Sequence, residues 1–388
     1  MTTVEEHAAH VAELLALSWQ LETVPLEEAL GRVTAGAIAS PVDLPLFRNS
    51  QMDGFAVRSG DLSPGATLDI SQDIPARPMQ PRPLAPGTAA RIMTGAVVPE
   101  GADAVVPVEY TTVAGGIVTI HRPRNPGEFV RERGSDLRAG DELLPAGLRL
   151  ASRHLAVLAA AGLTTVPVRS LVRVAIITTG SELVQPGEHP VLGQVFDSNA
   201  TALAAAVQAA GAVVSSRNHV TDDVAAMTAA LQATDAHLIV TSGGISMGDY
   251  EVVRETLEPL GARVGHVAMQ PGGPQATAVF EGTPVLCFPG NPVSTQLSFE
   301  VFLAPLLREV AGLPPARRER RVITTATTSP AGKRQFLRGR AVGDNRVELV
   351  SGAGSHLVAG LAASDLLVVV PEGVTAVLAG DDVETWAL

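Results

Sequence analysis

A single cysteine, Cys287, occurs in 388 residues, which excludes an internal disulfide framework and any zinc or iron–sulfur site built on thiolates. Set in the apolar run PVLCFPG, it reads as a small buried hydrophobe rather than a nucleophile. Aromatic residues amount to 3%, leaving few platforms on which bases could stack. Positive charge is also short: the net charge of −12 and pI near 5.2 lack the basic face that a nucleic-acid partner calls for. No apolar run approaches the ~20 residues of a membrane helix. The first residues, MTTVEEHAAHVAELL, are acidic and helical in pattern, with neither the basic start nor the continuous apolar stretch of a signal peptide. A cytoplasmic location is therefore expected. No internal repeat or low-complexity tract is evident.

Hydrophobic residues at 46% with 18% charged describe a globular chain with ample core, and its length suggests two to four domains. The most informative stretch is AHLIVTSGGISMGDYE (236–251), where a β-branched run passes through Gly243 and Gly244 into helical spacing. That is a strand, a tight loop and a helix. Glycines let backbone N–H groups approach a ligand, and a helix start adds donors suited to a phosphate. An ordinary turn between strand and helix would read the same way. Two further stretches share the architecture, VRVAIITTGSEL (172–183) and PVLCFPGNPVS (284–294). In an open parallel sheet such loops gather at the carboxyl ends of the strands, where ligands bind.

Along the chain, helices are expected over 4–16 and 26–30, the second stopping at Gly31. From Ile38 to Arg58 the text is proline-bounded and without period, as in a functional loop. Asp53 there reads most simply as a turn aspartate bonded to its own backbone. Residues 61–145 suit a small β-rich domain, and Arg131, Arg133 and Asp136 within it suit a solvated surface. From 172 to about 310, strands and helices alternate, which predicts a parallel sheet with helices on both faces. A helix over 249–259 and another over 292–310 belong to that series. Its loop ends collect Glu182, Asp197, Asp222 and Asp249. A divalent cation bridging such acids to an anionic ligand would explain them, hard oxygen ligands favouring magnesium; Asp222 and Asp249 would serve equally as helix N-caps. After a basic linker, ARRERR (316–321), short alternating strands read as a separate β-domain.

Taken together, these loops resemble the MoeA-type molybdopterin molybdenumtransferases, which include the C-terminal domain of gephyrin. The text that carries the likeness is NSQMDGFAVR (49–58), MTGAVVPEGADAVV (93–106), RERGSD (131–136), TTGSEL (178–183), DSN (197–199), TSGGISMGDY (241–250) and FPGNPVS (288–294), with GKRQFLRG (332–339) and SGAGSH (351–356) extending it over almost the whole chain.

The resemblance implies a multidomain α/β and β fold: an elongated first domain (1–45 and 137–170), an inserted β-rich domain (46–136), a MogA-like parallel α/β molybdopterin-binding domain (171–315) and a C-terminal β-barrel (316–388). It implies a homodimer whose active site is shared between subunits. The implied reaction takes adenylylated molybdopterin and molybdate, releases AMP and places molybdenum on the dithiolene with magnesium present. Asp53, Thr94 and Asp136 would act from the inserted side, and Glu182, Asp222 and Asp249 from the α/β side as catalytic groups and metal ligands. The ligand would be held by Thr179, Gly180, Ser242, Gly243, Gly244, Ser246, Gly248, Pro289, Gly290, Asn291 and Pro292. Where many members carry a KPGKP-like segment, this chain has Gln270-Pro271-Gly272-Gly273-Pro274, so both lysines are missing, and a positive φ at Gly273 would bar their simple return. The alternative is a gephyrin-like paralogue that keeps the dimeric fold as a protein-interaction scaffold.

Overall fold

Strand Arg173–Thr179 stands between strands Val213–Val220 and Leu238–Ser242 and is parallel to both; Thr283–Phe288 continues the parallel series on the far side of Leu238–Ser242. The structure, a computed structural model, describes residues 1–245 and 251–388. The chain divides into two units, residues 1–21 with 169–388, and residues 22–168.

In the first unit both faces of this sheet are covered, which is why its strands read as continuous apolar runs rather than as an alternation. Val174, Ile176, Leu238, Val240, Leu286 and Phe288 meet Val11 of helix Val4–Leu15, Leu203 and Val207 of helix Ser198–Ala209, and Leu307 of helix Ala304–Val310. The intervening Ala175, Ile177, Ile239, Val285 and Cys287 face Met227 and Leu231 of helix Val224–Gln232 and Val252, Val253 and Leu257 of helix Val252–Leu257.

The all-parallel expectation is corrected at one edge. Strands Pro274–Phe280 and Arg263–His266 are antiparallel, so the sheet is mixed. Glu281 and Gly282 join Pro274–Phe280 to Thr283–Phe288 with φ of +47° and +86°, the geometry of a two-residue hairpin. The expected helix over 292–310 is interrupted by a π-turn at Phe299–Leu303, just before Pro305, which has no N–H to continue the ladder. The expected helix at 26–30 is only a 3-10 turn, Leu26–Glu28. Of the segment 249–259, helix Val252–Leu257 is described, and Asp249 lies outside the described residues.

The basic stretch at 316–321 is not a linker. It enters strand Arg318–Ile323, whose arginines are paired: Arg320 with Asp382, Arg321 with Glu319, and Arg318 over the Trp386 ring at 4.1 Å. This strand belongs to a closed five-stranded barrel with Arg346–Leu349, Arg334–Val342, Leu366–Val370 and Asp382–Ala387. Ile323, Leu337, Val347, Val368 and Val383 fill it. Phe336, Leu367 and Trp386 turn outward onto Val293, Leu297 and Phe302, packing the barrel against the α/β sheet's last helical segments.

The second unit is built on a six-stranded sheet in the order Ala104–Pro107, Gly54–Val57, Thr88–Ile92, Ala66–Ile74, Ile117–Ile120, Thr111–Ala114. The segment expected to be irregular thus contains a strand, Gly54–Val57, all four of whose residues are buried. No described helix is long and apolar enough to cross a membrane.

Burial pushes the Cys287 thiol up to about 12, so at pH 8 it is protonated and enclosed. Folded protein should give no iodoacetamide adduct by mass spectrometry, whereas protein unfolded in guanidinium should give one; rapid labelling of the folded chain would contradict the core position.

Candidate functional site

The chain leaves Arg173–Thr179 toward Val213–Val220 on one side and returns to Leu238–Ser242 on the other. Loops departing in opposite directions leave a crevice at the carboxyl ends of the two strands. A cleft of about 910 Å³ lies there. Thr179, Gly180, Ser242, Gly243, Gly244, Pro289, Gly290, Asn291 and Pro292 all line it, so the structure brings together the three loops expected to converge. Ser246 and Gly248 lie outside the described residues.

The loops are held by buried polar contacts. Asn199 Nδ2 donates to Ser242 Oγ at 2.9 Å and to the Gly290 carbonyl at 2.7 Å, while Thr295 Oγ1 donates to the Pro289 carbonyl at 2.6 Å. Gly243 has φ +97°, and a Cβ there would stand 2.7 Å from the Thr179 carbonyl, so a side chain would push these two strand ends apart. Thr179 Oγ1 is buried without a hydrogen-bond partner among the described residues. A buried hydroxyl left in that state is uncommon and marks a place where a further partner would be favourable.

Glu182 and Asp222 are both exposed and both line the cleft. Asp222 accepts from the Ser181 N–H at 2.9 Å, whereas the cap of helix Val224–Gln232 is its neighbour Asp223, which accepts from the Ala226 N–H at 2.7 Å. Of the two roles open to Asp222, capping is thereby excluded. Asp197 is buried, accepting from Thr178 Oγ1 at 2.6 Å and capping helix Ser198–Ala209 through the Ala200 N–H at 3.0 Å. Its carboxylate is committed to structure. Among the described residues no group of three His, Cys, Asp or Glu side chains is placed to hold a metal ion.

Gln270 to Pro274 form another wall of the cleft. Positive φ belongs to Gly272, at +94°, and not to Gly273. Strand Met269–Gln270 pairs in parallel with the start of Arg334–Val342, Met269 opposite Arg334, and Gln335 Nε2 donates to Gln270 Oε1 at 2.9 Å. That pairing brings Lys333 into the cleft lining. It is the only lysine in the sequence, and no salt bridge to it occurs among the described residues. Sequence reasoning missed it, although a lone lysine in a chain rich in arginine was a compositional signal. The lining residues Ala353, Gly354 and Ser355 are braced from behind by Arg338, a buried guanidinium that donates to the carbonyls of Gly352 and, at 3.2 Å, Gly354.

In the other unit, Asp53 does not bond its own turn. Its Oδ1 accepts from the N–H and the hydroxyl of Thr94, at 2.6 and 2.7 Å, so these two expected site residues are brought together. The Thr94 N–H, then its hydroxyl, holds the Asp53 pKa below the usual carboxylate value. Asp136 is exposed, its N–H bonded to the Leu44 carbonyl at 2.9 Å. Of the arginines expected to be merely solvated, Arg133 pairs with Asp43 at 2.6 Å and Arg131 donates to Asn49 Oδ1 at 3.3 Å.

Family descriptions match the chain in order: the MoeA N-terminal region (domain I and II) over residues 2–162, a probable molybdopterin binding domain over 175–309, and the MoeA C-terminal region (domain IV) over 320–388. Molybdopterin molybdenumtransferase 2 of Mycobacterium tuberculosis (strain ATCC 25618 / H37Rv) is 44% identical over 408 aligned positions that span 100% of both chains. The chain belongs to the MoeA family. The molybdopterin molybdenumtransferase of Nostoc sp. (strain PCC 7120) is 36% identical over 93% of this chain and 87% of its own. Among solved structures, a MoeA protein from Pyrococcus horikoshii superposes with a TM-score of 0.80 at 30% identity, covering 98% of each chain.

For this MoeA-family chain, the Asp53–Thr94 pair makes a titration prediction. Stabilisation from a depressed carboxylate is complete above the ordinary aspartate pKa of about 3.9 and is lost as pH falls through the lower folded value. In Thr94→Val the hydroxyl contact goes and the backbone N–H stays. The Asp53 pKa followed by NMR should therefore rise while remaining below that of a free aspartate; an unchanged titration would mean that the hydroxyl contributes nothing.

Proposed function

We propose that the protein is a molybdopterin molybdenumtransferase of molybdenum cofactor biosynthesis: it binds adenylylated molybdopterin and molybdate, breaks the phosphoanhydride with release of AMP, and leaves molybdenum on the dithiolene. The observation that carries this reading is the cleft at the strand switch point, lined by glycine-rich backbone, by Thr179, whose buried hydroxyl has no partner among the described residues, by two carboxylates and by the chain's only lysine. The Gly244 backbone amide suits a phosphate, while Gly180 and Gly243, whose N–H groups are bonded to the Val220 and Phe288 carbonyls at 3.3 and 3.1 Å, contribute close approach without bulk rather than donors. Thr179 Oγ1 would complete its bond to the same group.

Glu182 and Asp222 fit magnesium by donor type, because that ion is commonly held by one or two carboxylates with the remaining positions filled by water and substrate phosphate. Asp249, the third expected ligand, lies outside the described residues. Magnesium bound there would offset the charge that builds on the phosphoanhydride oxygens. Lys333 takes over the point charge that the missing lysines at 270 and 273 would give, and holds the anionic end of the substrate. Asp53, Thr94 and Asp136 act on the same chemistry from the inserted domain of a second subunit, which makes the protein a homodimer with shared sites. It works in the cytoplasm. Neither the fold nor the relatives favour a scaffold without catalysis.

AMP release from adenylylated molybdopterin and molybdate tests the reaction. It should need a divalent cation and drop by orders of magnitude in Glu182→Gln, which keeps the shape and removes the charge. Mixed with Asp53→Ala subunits, the inactive Glu182→Gln protein should regain part of its activity, since a hybrid dimer holds one intact site. Turnover indifferent to chelator, or hybrids as dead as their parents, would reject the metal or the sharing respectively.

Lys333→Ala should weaken substrate affinity by roughly ten- to a hundredfold, the scale of a charge-assisted contact. Gln270→Lys, on the paired neighbouring strand, should restore much of the loss in that background. Gly273→Lys is sterically admissible as well, its Cβ lying 3.4 Å from the nearest atom, the Val267 carbonyl oxygen. Unchanged KM in Lys333→Ala would remove the lysine from the site.

A further inference from the structure

One side of the cleft is apolar. Leu183, Val195 and Phe196 line it, on the short parallel pair of strands Leu183–Val184 and Val195–Phe196. Among the described lining residues Phe196 carries the only phenyl ring, and it is 47% exposed. The other five phenylalanines of this unit, Phe280, Phe288, Phe299, Phe302 and Phe336, are all buried.

The helix that follows Phe196 gives its ring no apolar partner. Phe196 precedes the N-cap Asp197, the position from which an apolar side chain commonly packs on the fourth helical residue. Here that residue is Thr201, so an apolar staple has no partner. The backbone is nevertheless fixed on both sides: Phe196 pairs with Val184, and Asp197 donates its N–H to the Val184 carbonyl at 2.8 Å while its carboxylate is locked by Thr178 and Ala200. An exposed ring on a rigid mount beside a phosphate-type floor suits a flat ligand better than water.

We infer that Phe196 is the platform on which a planar heteroaromatic ring of the phosphate-bearing ligand stacks, so that the ring is held by the Phe196 side and the phosphate by the glycine loops. This rests on the transferase reading, whose substrate carries two such rings, the purine of its adenylate and the pterin.

Calorimetric titration with magnesium present separates them, using AMP, a 6-hydroxymethylpterin phosphate and ribose 5-phosphate as probes. Wild-type protein should bind at least one of the ring-bearing probes more tightly than ribose 5-phosphate. Phe196→Ala should weaken that probe about tenfold, the scale of stacking on an aromatic side chain, and leave ribose 5-phosphate unchanged; Phe196→Tyr should keep wild-type affinity. Which probe responds identifies the ring. Equal affinities of wild type and Phe196→Ala for both ring-bearing probes, with AMP release from the full substrate intact, would overturn the platform and spare the transferase reading. Loss of ribose 5-phosphate binding in step with the others would also overturn it, by showing that the change disturbs the loops. Should wild-type protein neither bind a ring-bearing probe nor release AMP, both readings fall.

Discussion

The amide of Asn199 is the contact on which the cleft depends. From the first turn of one helix it donates to the side chain closing strand Leu238–Ser242 and to the carbonyl of Gly290 beyond strand Thr283–Phe288. Ser242 passes the link on to Thr295, 3.2 Å away, and Thr295 to Pro289. Loops at strand ends are ordinarily the most adaptable part of a sheet. Here a chain of buried polar bonds ties them into one floor, so glycine backbone can line the cleft without side chains to support it. Such a network is costly to leave half satisfied, and beside it the buried Thr179 Oγ1 has no partner among the described residues.

Much of this was legible in the sequence because it is written in backbone requirements. Glycine at 243 answers a positive φ and a close carbonyl, and the run from Val172 to Thr179 has no polar alternation because both faces of its strand are covered. The loops that converge are the loops whose text showed small and polar residues after apolar strands. The antiparallel edge was less visible. Glu281-Gly282 is a two-residue hairpin connection, but a glutamate with positive φ is uncommon, so the turn lacked the usual asparagine or aspartate at its first position. Which aspartate caps the helix was not legible, since Asp222 and Asp223 are equivalent as text and only the Ala226 and Ser181 N–H groups tell them apart.

Residues contributed by distant elements were harder still. Lys333 reaches the cleft only because Met269–Gln270 adds to the edge of the barrel strand Arg334–Val342, a pairing between segments more than sixty positions apart. No local pattern around either segment announces it. The basic stretch before the barrel failed for the converse reason: ARRERR looks like a solvated linker until Glu319, Asp382 and Trp386 are found alongside it. Charge in a sequence says how many ions there are, and the fold decides which are already spoken for.

That distinction bears on the electrostatics of the cleft. The Asp197 carboxylate is engaged within the protein by the Thr178 hydroxyl and the Ala200 N–H, while Glu182 and Asp222 remain exposed along the cavity. Two like charges about 4 Å apart repel by about 4 kcal/mol at the effective dielectric of a protein surface, so a polyphosphate approaching these carboxylates meets a penalty that one lysine offsets only in part. Backbone dipoles add partial charges rather than whole ones. On the proposed reading, a site with this balance would admit a phosphoanhydride when a cation accompanies it and resist it otherwise. The same carboxylates that would make the cleft repel its substrate are therefore what would make it selective for the metal-bound form.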